Sequence, residues 1–124
     1  LYDMIMIKDN HIDFAGGIKK AIRKTKQYLL DKNKKLDIII EARNINEVNE
    51  ILNEEGITRI LLDNFDYKTT KEAVKIINNR CKIESSGGIT EKNIREYAEC
   101  GVDFISIGAI THSISNFDLS LKAI

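Results

Sequence analysis

The stretch IESSGGIT, residues 83–90, joins a short β-branched run to an amphipathic one through two serines and two adjacent glycines. The whole chain of 124 residues holds only seven glycines, so a pair at this junction calls for a reason. Glycine lets a backbone approach a ligand with no Cβ in the way. A turn that opens a helix adds free N–H groups and the positive end of a helix dipole. With serine hydroxyls beside it, such a turn suits a phosphate. The pattern predicts a helix beginning at Thr90 and a cradle formed by Ser86, Gly87 and Gly88.

On both sides of this loop the same alternation repeats. Short apolar runs occur at MIMI (4–7), LDIII (36–40), RILL (59–62), CKI (81–83) and DFISI (103–107). Runs of this length, apolar on both faces, suit strands of a buried parallel sheet. Between them, Ile18, Ala21, Ile22 and Leu29 recur at helical spacing, as do Ile45, Val48, Ile51 and Leu52, and later Ile94, Tyr97 and Ala98. Asn44 with Glu47, Thr69 with Glu72, and Thr90 with Asn93 have the spacing of helix caps, and Gly56 and Gly101 stand where helices would end. Strand and helix in alternation mean right-handed βαβ units and a parallel sheet, here of five strands. Five are too few to close an eight-stranded barrel. The chain is therefore either a small doubly wound sheet or an incomplete parallel (β/α) barrel of TIM-like type.

The residues just after the apolar runs favour the barrel. Lys8, Glu41, Asp63, then Glu84 with Ser85 and Ser86, and finally Gly108 recur once per βα unit, which places them all at the carboxyl end of the sheet. A single charge there is ordinarily the start of a solvated loop. One lysine and three carboxylates at one rim, beside glycine-bearing turns, point to a site. The turn in SIGAITHS adds Gly108 and Ala109 as a second small-residue wall. Glu41 and Asp63 suit Mg²⁺, which takes one or two carboxylates plus substrate phosphates, or a positive charge developing on a sugar ring. Lys8 suits a phosphate or a substrate carboxylate.

The remaining features narrow the function by exclusion. Nineteen basic and nineteen acidic residues give a net charge of zero, so nothing in the bulk charge marks a nucleic-acid or anionic-membrane partner. No apolar run approaches the ~20 residues of a bilayer span and no leader opens the sequence, so the expected location is the cytoplasm. Cys81 and Cys100 read as reduced thiols. His11 and His112 read as loop-fixing hydrogen bonders, with no Ser-His-Asp or zinc pattern around them, and Tyr2, Tyr28, Phe65 and Phe104 as core or subunit-interface residues. The start at Leu1 instead of methionine suggests a piece of something longer.

The strings MIKDNHI (6–12), RILLDN (59–64), IESSGGIT (83–90), YAECGVDFISIGAITHS (97–113) and DLSL (118–121) resemble, in order and spacing, the catalytic barrel of the quinolinate phosphoribosyltransferase family. The resemblance implies one partial catalytic α/β-barrel domain over residues 1–124, lacking the amino-terminal domain and first barrel strand. It implies transfer of phosphoribose from phosphoribosyl pyrophosphate to quinolinate with Mg²⁺, giving nicotinate mononucleotide, pyrophosphate and CO₂ on the way to NAD. Carried onto matching positions, Lys8 would contact a substrate carboxylate or phosphate, and Glu41 and Asp63 the ribose and its metal-bound pyrophosphate. Ser86, Gly87, Gly88, Ile107, Gly108 and Ala109 would hold the 5′-phosphate, with Glu84 supporting them. The family usually carries a Glu-Val-Glu-Val string where this chain has IIEAR, so Glu41 is retained while Ile39 and Arg43 stand where acidic neighbours are common. It also implies a homodimer or larger symmetric assembly, with the amino-terminal domain of a partner subunit completing the site. A paralogue acting on another base, and a catalytically incomplete phosphate-binding module, are the alternatives.

Overall fold

A computed structural model describes residues 3–108 and 110–114. The elements in chain order are β1 (Met4–Ile7), α1 (Asp9–Ala15), α2 (Ile18–Asp31), β2 (Asp37–Ala42), α3 (Ile45–Leu52), β3 (Arg59–Asp63), α4 (Tyr67–Ile77), β4 (Lys82–Ser86), α5 (Ile94–Glu99), β5 (Phe104–Ile107) and β6 (Ile110–Ser113). The six strands form one sheet whose spatial order is the chain order. β1 to β5 run parallel, and β6 turns back antiparallel to β5. The expected five parallel strands are all present. The sixth is a correction: ITHS, read as part of a loop, pairs with β5 through Ile107 opposite Ile110.

The alternation of side chains across each strand sorts the sheet into two faces. Ile38, Ile40 and Ala42 of β2, Ile60 and Leu62 of β3, Ile83 of β4 and Ile105 of β5 enter one core with Ile22 of α2, Val48 and Ile51 of α3, Ala73 and Ile77 of α4 and Ile94 of α5. Burying each large aliphatic side chain contributes about 1.5–3 kcal/mol, which is why helices of modest propensity hold their places here. The intervening residues point the other way. Ile39 and Leu61 lie outside that core, yet are 0% and 6% exposed. Their burial is the mark of a curled sheet, whose inward side chains cover one another.

Local signals explain most boundaries. The Asn44 side chain accepts from the backbone N–H of Glu47 and caps α3, as its spacing predicts. The α4 cap differs from expectation. Asp66, not Thr69, is the cap, accepting from the Thr69 N–H at 2.7 Å. The helix after the glycine pair also starts late. Thr90 and Asn93 do bond, but across a turn, and α5 begins at Ile94 with six residues only. α1 carries no signal in the sequence, because its seven residues include one buried apolar side chain, Ile12, and so show no periodicity. Tyr28 is 47% exposed, whereas Phe65 is in the core, and Tyr2 lies outside the described residues.

The cap assignments give a direct test. Asn44→Ala should cost about 1 kcal/mol in chemical denaturation of the full-length protein. Thr69→Ala, at the position that spacing alone nominates, should stay within about 0.5 kcal/mol. The reverse order would overturn both assignments.

Candidate functional site

Lys8 comes directly after β1 and is the residue from which α1 starts; its backbone N–H donates to Nδ1 of His11. His11 thus fixes the turn into α1. β1 pairs with β2 with Ile7 opposite Ile40, so the chain leaves β1 beside Glu41. The backbone N–H of Asp9 reaches Oε1 of Glu41 at 3.4 Å. Glu41 and Leu61 are opposite one another on β2 and β3, and Asp63 closes β3 opposite Ser86 of β4. Glu41, Leu61, Asp63, Glu84 and Ser86 therefore share the inward, curled face, and the carboxylates of Glu41 and Asp63 occupy its rim.

Their charges interact. Partial burial pushes the Glu41 carboxyl above its ordinary value, and the neighbouring Asp63 charge pushes it further; the Asp9 N–H and the Lys8 ammonium pull it back. Three of the sequence-nominated groups, Lys8, Glu41 and Asp63, thus sit within electrostatic reach of one another. Arg43, just past β2, is not part of that set. Its guanidinium is held by Glu47, at 2.8 Å, and by Asp13 at 3.5 Å. It holds the Glu47 carboxyl below the usual range and ties α3 to α1.

The glycine loop lies beside this rim. Gly87 and Gly88 both have left-handed backbone, with φ of 88° and 69°. Gly87 is additionally hemmed in, since a Cβ there would lie 2.5 Å from Oδ1 of Asn64. Asn64 has φ 58° and donates its backbone N–H to the Ser86 carbonyl at 2.9 Å, so the ends of β3 and β4 are stitched together where the loop departs. Asn64 is a site-building residue that the sequence pattern does not single out. The available signal is an asparagine directly after a strand-ending aspartate, since asparagine tolerates the left-handed conformation better than other chiral residues. At the far side of the loop Ile89 is buried in the core, and the Asn93 side chain donates to the Gly88 carbonyl.

The expected helix dipole at Thr90 requires correction. The Thr90 N–H is already bonded to Asn93, and α5 is a short helix starting four residues later, so backbone and hydroxyl groups of residues 86–88 are what the loop offers an anion. Gly108, φ 60°, forms the tight turn between β5 and β6. The Ile107 side chain packs toward the core, leaving its backbone to the rim, and Ala109 and the DLSL stretch lie outside the described residues. Glu84 lies beside the same loop, under different constraints. It lies within β4, 4% exposed, with Oε1 bound by Arg59 at 2.7 Å and Oε2 bound by the Ser106 hydroxyl. Both carboxylate oxygens are thus engaged within the protein, an arrangement that suits the supporting role the resemblance implies.

Cys81 and Cys100 are free thiols, both pushed upward by burial. His112 lies within β6, opposite Ile105, and not in the loop expected for it. Among the described residues no cluster of three or more His, Cys, Asp or Glu side chains forms a metal cage, and no helix is long and apolar enough to cross a membrane.

Comparison with known proteins shows the family to which the chain belongs. The family model described as quinolinate phosphoribosyl transferase, C-terminal domain, matches residues 1–122. The chain is 43% identical to the chloroplastic nicotinate-nucleotide pyrophosphorylase [carboxylating] of Arabidopsis thaliana, over 98% of this chain and 39% of that protein. It is 44% identical to a probable nicotinate-nucleotide pyrophosphorylase [carboxylating] of Methanocaldococcus jannaschii, over 100% of this chain and 44% of that one. The crystal structure of nicotinate-nucleotide pyrophosphorylase from Ehrlichia chaffeensis superposes with a TM-score of 0.77 at 42% identity, covering 87% of this chain and 38% of that chain. The chain thus spans roughly two fifths of the relatives it matches.

The raised Glu41 and the hemmed-in Gly87 can each be tested. Because the folded protein raises the Glu41 pKa, its charged form is disfavoured relative to the unfolded chain. Above the unfolded value near 4.5 the ionised carboxylate costs stability, and below it the cost vanishes. Glu41→Gln in the full-length protein, free of divalent cations, should therefore unfold at higher temperature than wild type at neutral pH, and the gap should close as pH falls through 4.5. A gap that stays constant with pH would contradict the assignment. Gly87→Ala should destabilise the full-length protein by more than about 1 kcal/mol in chemical denaturation, because the added methyl meets both a left-handed φ and the Asn64 amide. Unchanged stability would contradict the crowding at Gly87.

Proposed function

The chain belongs to the quinolinate phosphoribosyltransferase family, as its C-terminal domain, and from that membership we propose that it carries the phosphoribosyl-binding part of the site at which phosphoribosyl pyrophosphate and quinolinate give nicotinate mononucleotide, pyrophosphate and CO₂. The observation that carries the reading is the shared rim of Lys8, Glu41 and Asp63 beside the Gly87–Gly88 loop. In such a transfer the C1′–O bond to pyrophosphate breaks as the ring nitrogen approaches C1′, and positive charge builds on the ribose. Glu41 and Asp63 stabilise that charge because paired strands hold them at one rim and Glu41 is partly desolvated, so little reorganisation is needed when it appears. The Ser86 hydroxyl and the backbone of Gly87, Gly88, Ile107 and Gly108 receive the 5′-phosphate. Ala109, by its place in the sequence, belongs with them. Lys8 offsets the charge of a carboxylate or phosphate.

Mg²⁺ fits the residues present. Glu41 and Asp63 repel one another across the rim, and two carboxylates are the usual protein share for an ion that keeps waters and substrate phosphates in its shell. Bound there, the ion would supply neutralisation of the departing pyrophosphate.

A dicarboxylate base needs several cationic donors to offset its desolvation. On this rim Lys8 is offered, while Arg43 is taken by Glu47 and Asp13. We therefore assign the remaining grip on the base to parts of the full protein outside this chain, in a symmetric homo-oligomer whose partner subunit closes the site. Five parallel strands in chain order, helix-packed on one face and self-covering on the other, support reading the sheet as an arc of a TIM-like barrel. The cytoplasm is the proposed compartment, although plant relatives are named as chloroplastic or mitochondrial.

In the full-length protein, Glu41→Gln and Asp63→Asn should each lower kcat by about 100-fold, the usual cost of one electrostatic stabiliser. A kcat within about twofold of wild type would remove these carboxylates from the mechanism. The 124-residue chain alone should release no pyrophosphate from the two substrates in a coupled assay.

A further inference from the structure

Beneath the two small-residue turns runs a polar chain, buried at Glu84 and part-buried at Arg59 and Ser106, with no part in the transfer itself. Glu84 is two residues before Ser86, and Ser106 is two residues before Gly108, so each sits on the strand that delivers one of the turns. The Ser106 hydroxyl donates to Oε2 of Glu84, linking β4 to β5 by side chains at that level. Ser106 Oγ also lies 3.0 Å from Thr111 Oγ1, which carries the link on to β6. The backbone pairing of β4 with β5 is short, with Glu84 opposite Phe104 and Ser85 opposite Ile105. The side-chain bond therefore extends the join toward the rim, where backbone pairing has ended.

An unbalanced carboxylate at this depth would repel a phosphate above it. Arg59, at the start of β3, removes that problem. Its guanidinium donates to Oε1 of Glu84 at 2.7 Å and stacks 3.6 Å from the centre of the Phe104 ring, with its side chain only 12% exposed. Salt bridge and stacking together fix the arginine from two sides, a use for which a lysine could not substitute. The pair is close to neutral seen from the rim, while Glu84 keeps an oxygen free to hold Ser106.

We propose that Arg59, Glu84 and Ser106 form a positioning unit that sets the distance between the Ser86–Gly88 turn and the Gly108 turn, so that both reach a single phosphate. The proposal rests on the phosphoribosyl reading for the identity of that phosphate. None of the three residues touches substrate. Arg59 holds Glu84, Glu84 holds Ser106, and Ser106 holds the end of β5.

Ser106→Ala in the full-length protein is the cleanest test, because it removes one hydroxyl and leaves the Arg59–Glu84 pair intact. It should raise the KM for phosphoribosyl pyrophosphate about tenfold, the scale of one lost hydrogen bond. The KM for quinolinate should stay within about twofold, and Ser106→Thr, which restores the hydroxyl, should recover most of the loss. A merely structural serine would lower Tm and leave the two KM values in their wild-type ratio, which would overturn the proposal. Calorimetric binding of ribose 5-phosphate to the same variants reads the spacing without turnover. Weakened binding in Ser106→Ala supports the positioning unit even if wild type shows no phosphoribosyl transfer, a result that would defeat only the enzymatic reading. Binding equal to wild type overturns the unit.

Discussion

The register of the parallel strands governs everything else in the molecule. Because side chains alternate strictly along a strand, a pairing of Leu61 with Glu84 and of Asp63 with Ser86 commits every second residue of β3 and β4 to the same face. Ile60, Leu62 and Ile83 then have no choice but to enter the helix-covered core. A slip of one residue would bury Glu41, Asp63 and Glu84 among the helices and turn the apolar residues of the same strands away from them. The apolar core therefore fixes where the charged residues lie.

That arrangement separates two kinds of polar group on the inward face. Glu84 and Arg59 are paired with one another, with Glu84 buried and Arg59 stacked on Phe104. Glu41 and Asp63 are partly wet and repel each other. The first pair is arranged for rigidity. The second stores an electrostatic tension that a cation or a developing positive charge would relieve, which is the trade of stability against activity expected at a working site.

Much of this is legible in the sequence, for reasons that differ by element. The strands can be read because β2 and β3 are apolar on both faces, which little else but a covered parallel sheet explains. The rim residues can be read because strand ends recur once per unit. α1 cannot, since Ile12 alone gives a helix no period, and β6 cannot, since a four-residue strand with His112 and Thr111 has no apolar run. Local spacing misplaces the α4 cap because Asp66 and Thr69 both precede a suitable partner, and only the backbone path chooses between them. The Glu84 role depends on Arg59, whose place at a strand start gives no hint that its side chain reaches across to the next strand.

The agreement between strand order and chain order has a bearing on how the polypeptide reaches this state. Each new strand docks on the one made just before it, so loop closures stay short and growth can proceed in the direction of synthesis, one βα unit at a time. The segment has no proline, and its left-handed turns are built from glycine and asparagine, so it contributes no slow imide isomerisation to that assembly.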